Sequence, residues 1–207
     1  MKKISQEYFF DHLDFFVQEA KSGKIFVYPT DTIYWIWWIF PLTLQKIYEI
    51  KQRPHNKKVS VIIPSQSTNL KESIKNIPLN LKVDVNKLVN VLQDIWNQGK
   101  WFTVIWKMKD KYFESLTSYA KKIYQDKTLW VRILNSKFQD FVNKLSIPFI
   151  TTSANLSGES VITNVDELPL SIWEKVDYII DWWKLLWDPS IIVDITSWDI
   201  QLIYRKR

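Results

Sequence analysis

The sequence contains no cysteine. Disulfides, thiolate metal sites and a cysteine nucleophile are therefore excluded, and the composition fits a reducing compartment. Histidine is nearly absent, with only His12 and His55, so a multi-histidine metal cage cannot be built. No run approaches the ~18 apolar residues of a membrane span. The N-terminus, MKKISQEYFFDHLDFF, has charges spread through it and lacks the unbroken apolar stretch of a signal peptide. These absences lead us to expect a cytoplasmic protein with no membrane attachment. Glycine is scarce, with 3 in 207 residues, where its usual frequency of ~7% would give roughly 14.

What is present is apolar and aromatic. Hydrophobic residues make up 46% of the chain, and 12 residues are tryptophan, normally the rarest amino acid. The length suits one compact domain over residues 1–207. The net charge of +6 attracts anions such as nucleotides or RNA. A solvated, lysine-rich surface gives the same balance, so charge alone does not choose a partner.

Periodicity places the elements. Residues 5–22 read as one helix capped by Ser5 and closed by Gly23. A short strand, 24–28, runs into a loop over 29–38, PTDTIYWIWW. Thr43 can cap a helix that ends near Lys51, and KQRPHNKK follows as a loop. Further helices are expected at 83–97 and 137–145. Strands are expected at 59–64, 102–108, 129–133, IPFIT, 176–181, 190–195 and 199–204. The interleaving predicts an α/β (α+β) fold, with a mostly buried mixed sheet flanked by helices.

Three segments sit in loops at strand ends, where sites concentrate: Pro29-Thr30-Asp31-Thr32, Lys51-Gln52-Arg53-Pro54 and Thr152-Ser153-Ala154-Asn155-Leu156-Ser157-Gly158. Taken singly each has a plain explanation. The first is a turn with a cap, the second a basic last turn complementing a helix dipole, and the third a set of Asx and serine turns.

In order along the chain they carry more. PTDTIYWIW, IYEIKQRPHNKKVSVII, GKWFTVIWK, LWVRIL, TTSANLSGES and DWWKLLWDPSIIVDITSW together resemble the YrdC/TsaC family of threonylcarbamoyl-AMP synthases. The resemblance covers residues from about 20 to about 205. It implies a single YrdC-like domain, a twisted mixed sheet with a concave basic cleft, and condensation of L-threonine, bicarbonate and ATP. The amine and bicarbonate give a carbamate, whose oxygen attacks the α-phosphate as pyrophosphate leaves. No protein nucleophile is needed.

By the same resemblance Lys51, Arg53, Ser153 and Asn155 form the catalytic tetrad. Thr32, Arg132 and Ser190 face threonine and bicarbonate. Arg53, Lys57, Thr103, Ser153 and Ser157 face ATP. Mg²⁺ is expected on the ATP phosphates and not in a protein cage, with Asp31 and Asp194 as water-mediated helpers or simple caps. The product is expected to pass to a separate threonylcarbamoyl transferase complex that modifies tRNA. Three departures from the family pattern stand out: NQGKWFT where PGPxT is usual, Ile191 where a threonine follows Pro189-Ser190, and VSVII without the histidine some relatives carry.

The tryptophans also fall into the pattern. Trp35, Trp37, Trp130, Trp182, Trp183, Trp187 and Trp198 occupy positions where the family has glycine, and Trp38 is a further candidate. Glycine serves such places by reaching φ > 0 or admitting a ligand close to the backbone. We therefore expect a gene in which UGA encodes glycine, read here as tryptophan. Three other readings remain: a non-catalytic protein of this fold binding tRNA or double-stranded RNA, a carbamoyl-transfer module like that of hydrogenase maturation proteins, and a scaffold whose pocket the indoles plug.

Overall fold

The computed structural model describes residues 2–30, 32–64, 74, 79–132, 138–182, 184–185 and 190–204. Among them, eleven strands form one sheet: β1 (Lys2–Ser5), β2 (Phe26–Pro29), β3 (Tyr34–Ile39), β4 (Ser60–Ile62), β5 (Leu79–Asn80), β6 (Phe102–Met108), β7 (Thr128–Arg132), β8 (Phe149–Ser153), β9 (Tyr178–Asp181), β10 (Ile191–Asp194) and β11 (Gln201–Ile203). The spatial order is β1-β9-β2-β3-β8-β4-β7-β6-β10-β11, with β5 paired to β6. β9 lies parallel to β1 and β2, β4 parallel to β7, and β6 parallel to β10, while the other pairings are antiparallel. The sheet is therefore mixed, as expected.

The helices are α1 (Gln6–Asp11), α2 (Leu13–Lys21), α3 (Leu44–Ile50), α4 (Val85–Asn97), α5 (Asp110–Glu114), α6 (Ser118–Ile123), α7 (Phe138–Leu145) and α8 (Leu170–Trp173). Their ends are chemically defined. Ser5 Oγ accepts from the Tyr8 amide at 3.1 Å, and Asp84 accepts from Lys87 at 2.8 Å. Gly23 takes φ +88° at the turn after α2, a conformation that favours glycine.

Three expectations change. The 5–22 helix is two helices, because His12 (φ −116°, ψ 33°) leaves helical geometry and interrupts the ladder. The 29–38 loop is instead a tight turn followed by β3, whose six residues YWIWWI are all buried. A strand buried on both sides shows no alternation, so the period-2 signal was missing. Thr43 does not cap α3, because its hydroxyl turns back to donate to the Ile39 carbonyl. β1 and the two short helices α5 and α6 had no sequence signal.

Two cores cover the sheet unequally. Alternation sends Val27, Ile36, Val61, Val104, Val131 and Ile150 to one face, packed beneath α3, α4, α6 and α8. On the other face α1, α2 and α7 cover β9, β2, β3 and β8 through an aromatic cluster. Phe26 stacks on Trp37 with ring centroids 4.4 Å apart, and Phe141 meets Trp37 at 4.8 Å and Phe9 at 5.2 Å. Among the described residues, that cluster reaches no further than Ile62 of β4 and takes in nothing from β7, β6 or β10. The cleft described below lies over β4, β7 and β6.

Phe141 anchors the covered half and is 1% exposed, whereas Phe15 is 51% exposed. Phe141→Ala should cost ~3–5 kcal/mol of stability, and Phe15→Ala should change it by less than about 0.5 kcal/mol. Urea midpoints at unchanged slope would read both.

Candidate active site

Strand register builds the floor of the cleft. Ile62, Arg132 and Thr103 pair across β4, β7 and β6 in one row, and Ser60, Trp130 and Ile105 pair in the next usable row. Arg132 and Thr103 are 2% and 1% exposed, yet both point to the face that carries the cleft. Thr103 Oγ1 lies 3.4 Å from Ser190 Oγ, at the entry to β10. Arg132 donates from Nη2 to Thr32 Oγ1 at 3.4 Å, and its guanidinium carbon lies 4.5 Å from the centre of the Trp35 ring. Thr32 is held in the β2–β3 turn, where Thr30 and Thr32 hydroxyls meet at 3.2 Å.

One wall comes from two segments about a hundred residues apart. Lys51 follows α3 and is 1% exposed. Its Nζ donates to the backbone carbonyls of Ser153 and Asn155 and lies 3.5 Å from Asn155 Oδ1. The Ser157 amide returns the tie, donating to the Lys51 carbonyl at 3.0 Å. Asn155 is fixed further by donation from Nδ2 to the Glu159 carbonyl at 2.7 Å. Burial, and then the charge of Arg53, lower the Lys51 pKa from its ordinary 10.5 to about 7.

Arg53, two residues on, is aimed by its own loop. Its Nε donates to the Lys57 carbonyl at 2.7 Å, and Nη2 donates to the Lys58 carbonyl. The planar fork is thus immobilised before any ligand arrives, which suits it to phosphate or carboxylate.

These residues surround a cavity of about 210 Å³ lined by Thr32, Arg53, Arg132, Ser153 and Ser190 among others. A second, wider space of about 660 Å³ adjoins it, lined by Lys57, Asp126, Thr128 and Asp194. Arg53, Lys58 and Trp130 line both. The structure therefore brings Thr32, Arg53, Arg132, Ser153 and Ser190 together around one space. Thr103 supports Ser190 from below. Lys57 opens onto the second space. Lys51, Asn155 and Ser157 hold the wall in place and do not line either space. Asp194 accepts from the Thr196 amide at 2.9 Å, which is a turn contact. Asp31, Trp183 and Trp187 lie outside the described residues. Trp37 does not line the cleft: its ring packs against Phe26, Phe141 and Phe149, whereas Trp35, in the same cluster, reaches the cleft at its edge.

Lys58 and Ser60 are among the lining residues that went unrecognised in the sequence. Lys58 bonds Asp126 and Thr128 through Nζ, so its position depends on strand neighbours far along the chain. Ser60 is placed only by its register with Trp130. Among the described residues, no group of three His, Asp or Glu side chains could hold a metal ion.

Comparison with known proteins identifies the family and the fold. The Sua5_yciO_yrdC family model, described as "Telomere recombination", matches residues 18–206. A Methanocaldococcus jannaschii protein provisionally named threonylcarbamoyl-AMP synthase is 32% identical over 187 residues, covering 88% of this chain and 80% of that protein. A Pseudoalteromonas translucida threonylcarbamoyl-AMP synthase is 24% identical over 170 residues, covering 77% of this chain and 80% of that protein. Among solved structures, P. abyssi Sua5 complexed with L-threonine superposes with a TM-score of 0.71 at 18% identity, over 98% of this chain. This chain spans 56% of the P. abyssi protein. E. coli YciO gives a TM-score of 0.65 at 20% identity, over 93% of this chain and 87% of that one. With a family model matching nearly its whole length and a relative at 32% identity, the chain belongs to the Sua5/YciO/YrdC family.

Proposed function

We propose that this chain, as one YrdC-like domain, is a threonylcarbamoyl-AMP synthase. It condenses L-threonine, bicarbonate and ATP to threonylcarbamoyl-adenylate, water and pyrophosphate, supplying a tRNA adenosine modification. The observation that carries this reading is the convergence of Lys51 and Arg53 with Ser153 and Asn155, beside a space that Arg53, Lys58 and Arg132 line. The naming of the M. jannaschii and P. translucida relatives supports it.

The chemistry asks for positioning and charge, not for a nucleophile from the protein. The threonine amine forms a carbamate with bicarbonate and releases water. A carbamate oxygen then bonds to the α-phosphorus, and the bond to the β-phosphate bridging oxygen breaks. Arg132 and Thr32, bonded to each other at the smaller space, would hold the threonine carboxylate. Arg53 and Lys58 offset the charge that builds on the α-phosphate and the leaving pyrophosphate. Ser153 and Ser190 supply hydroxyl contacts at the rim. Lys57 lies where the phosphate tail would enter the wider space. Mg²⁺ would travel with the ATP phosphates. A separate transferase complex would then take the adenylate.

Pyrophosphate should appear only when ATP, threonine and bicarbonate are all present. Arg53→Ala should lower kcat by about 10²-fold or more, while Arg132→Ala should raise the threonine KM more than it lowers kcat. Pyrophosphate release with each substrate omitted in turn checks the first statement, and steady-state kinetics the others.

Lys51 makes a separate prediction. Its folded pKa of about 7 lies below the ordinary 10.5, so the unfolded chain binds more protons between those values and stability should rise with pH across that window. A triphosphate nearby restores the charged form. ATP binding at pH 8 should therefore take up close to one proton, and Lys51→Met should abolish the uptake. Calorimetry in buffers of different ionisation enthalpy reads it directly.

A further inference from the structure

The cleft is narrower than its proposed task. Ligand pockets run to ~300–1,000 Å³, but the space framed by Thr32, Arg132 and Ser190 measures about 210 Å³. Two indoles restrict it. Trp35 stacks on one face of the Arg132 guanidinium, 4.5 Å from its central carbon, and its ring takes up part of the smaller space that it lines. Trp130, paired with Ser60 and Ile105 on the floor, lines both the smaller and the wider space. The carbamate and the α-phosphate must meet, so these spaces must be continuous during the reaction.

The tryptophans also fit poorly where they stand. Buried polar groups are normally partnered. Among the described residues, the buried side-chain polar atoms without a hydrogen-bond partner are the indole nitrogens of Trp35, Trp38 and Trp106. Trp182 and Trp198 are 43% and 75% exposed. Twelve tryptophans accompany three glycines, and the two together come close to the roughly 14 glycines expected at ~7%.

We propose that positions 35 and 130 decide whether a nucleotide can enter this cleft, and that the functional protein carries glycine at both, from UGA codons. Loss of the two indoles opens the space beside Arg132 and joins the two spaces into one trough running from Thr32 to Lys57. This inference rests on the synthase reading for the identity of the nucleotide, but not for the identity of the residues.

Two measurements separate those parts. Peptide mass spectrometry of the protein isolated from its source cells should show glycine at 35 and 130, with UGA codons in the gene. Tryptophan in those peptides, or UGG codons, overturns the proposal. In parallel, the chain as written and the W35G/W130G chain are titrated with a non-hydrolysable ATP analogue and melted. The double variant should bind the analogue at least about tenfold more tightly, with no loss of Tm. A fall in Tm without a gain in binding contradicts the proposal, because it marks both indoles as true packing residues. Glycine in the peptides without a gain in binding would keep the recoding and remove the nucleotide from this cleft.

Discussion

The site depends on one buried cation. Lys51 lies at the end of α3 with almost no solvent contact, and its ammonium is held by the carbonyls of Ser153 and Asn155. A buried charge without such partners costs several kcal/mol, so the segment after β8 must pass within reach of Lys51. That requirement ties together two stretches a hundred residues apart. It sets where Ser153 faces the cleft, and it sets the start of the loop that aims Arg53. Burial lowers the pKa of the same lysine toward neutrality, so one side chain both fixes the wall and responds to an arriving anion.

The second constraint is uneven cover. Aromatic packing under α1, α2 and α7 fills one half of a sheet face, and among the described residues the cleft lies over the other half, at β4, β7 and β6. Rigid strands rather than loops therefore carry Arg132 and Thr103, and register sets their spacing. A reaction without a protein nucleophile needs reactants held in fixed geometry, and a half-covered sheet edged by cationic loops provides that arrangement.

Much of this was legible in the sequence, for identifiable reasons. The amphipathic helices α2, α4 and α7 and the strands β6, β7 and β10 follow from apolar spacing. β3 was read as loop because Pro29, Thr30 and Asp31 are turn formers and its two-sided burial erased the alternation. β1 is a lysine-rich edge strand whose partner among the described residues, β9, lies far along the chain. In the site, no single motif was decisive. The ordered set pointed to Lys51, Arg53, Ser153 and Asn155; the structure ties Lys51 to Ser153 and Asn155 and lines one space with Arg53 and Ser153. It also separates roles the motifs could not: Lys51 and Asn155 brace the wall, while Arg53 and Ser153 line the space. Lys58 and Ser60 were invisible because cross-strand pairing alone puts them there. Trp37 falls at a family glycine position, on the same face of β3 as Trp35, and its place two residues further along puts its ring against Phe26 and Phe141 in the aromatic cluster.

The central claim is that this cleft joins threonine, bicarbonate and ATP. Isotopically labelled bicarbonate, supplied with threonine and ATP to the W35G/W130G chain and followed by mass spectrometry, tests it most directly. The account predicts that the label appears in an adenylate that also contains threonine, and that Arg53→Ala suppresses it. ATP consumption without label in any adenylate, or labelled product undiminished by Arg53→Ala, would contradict it.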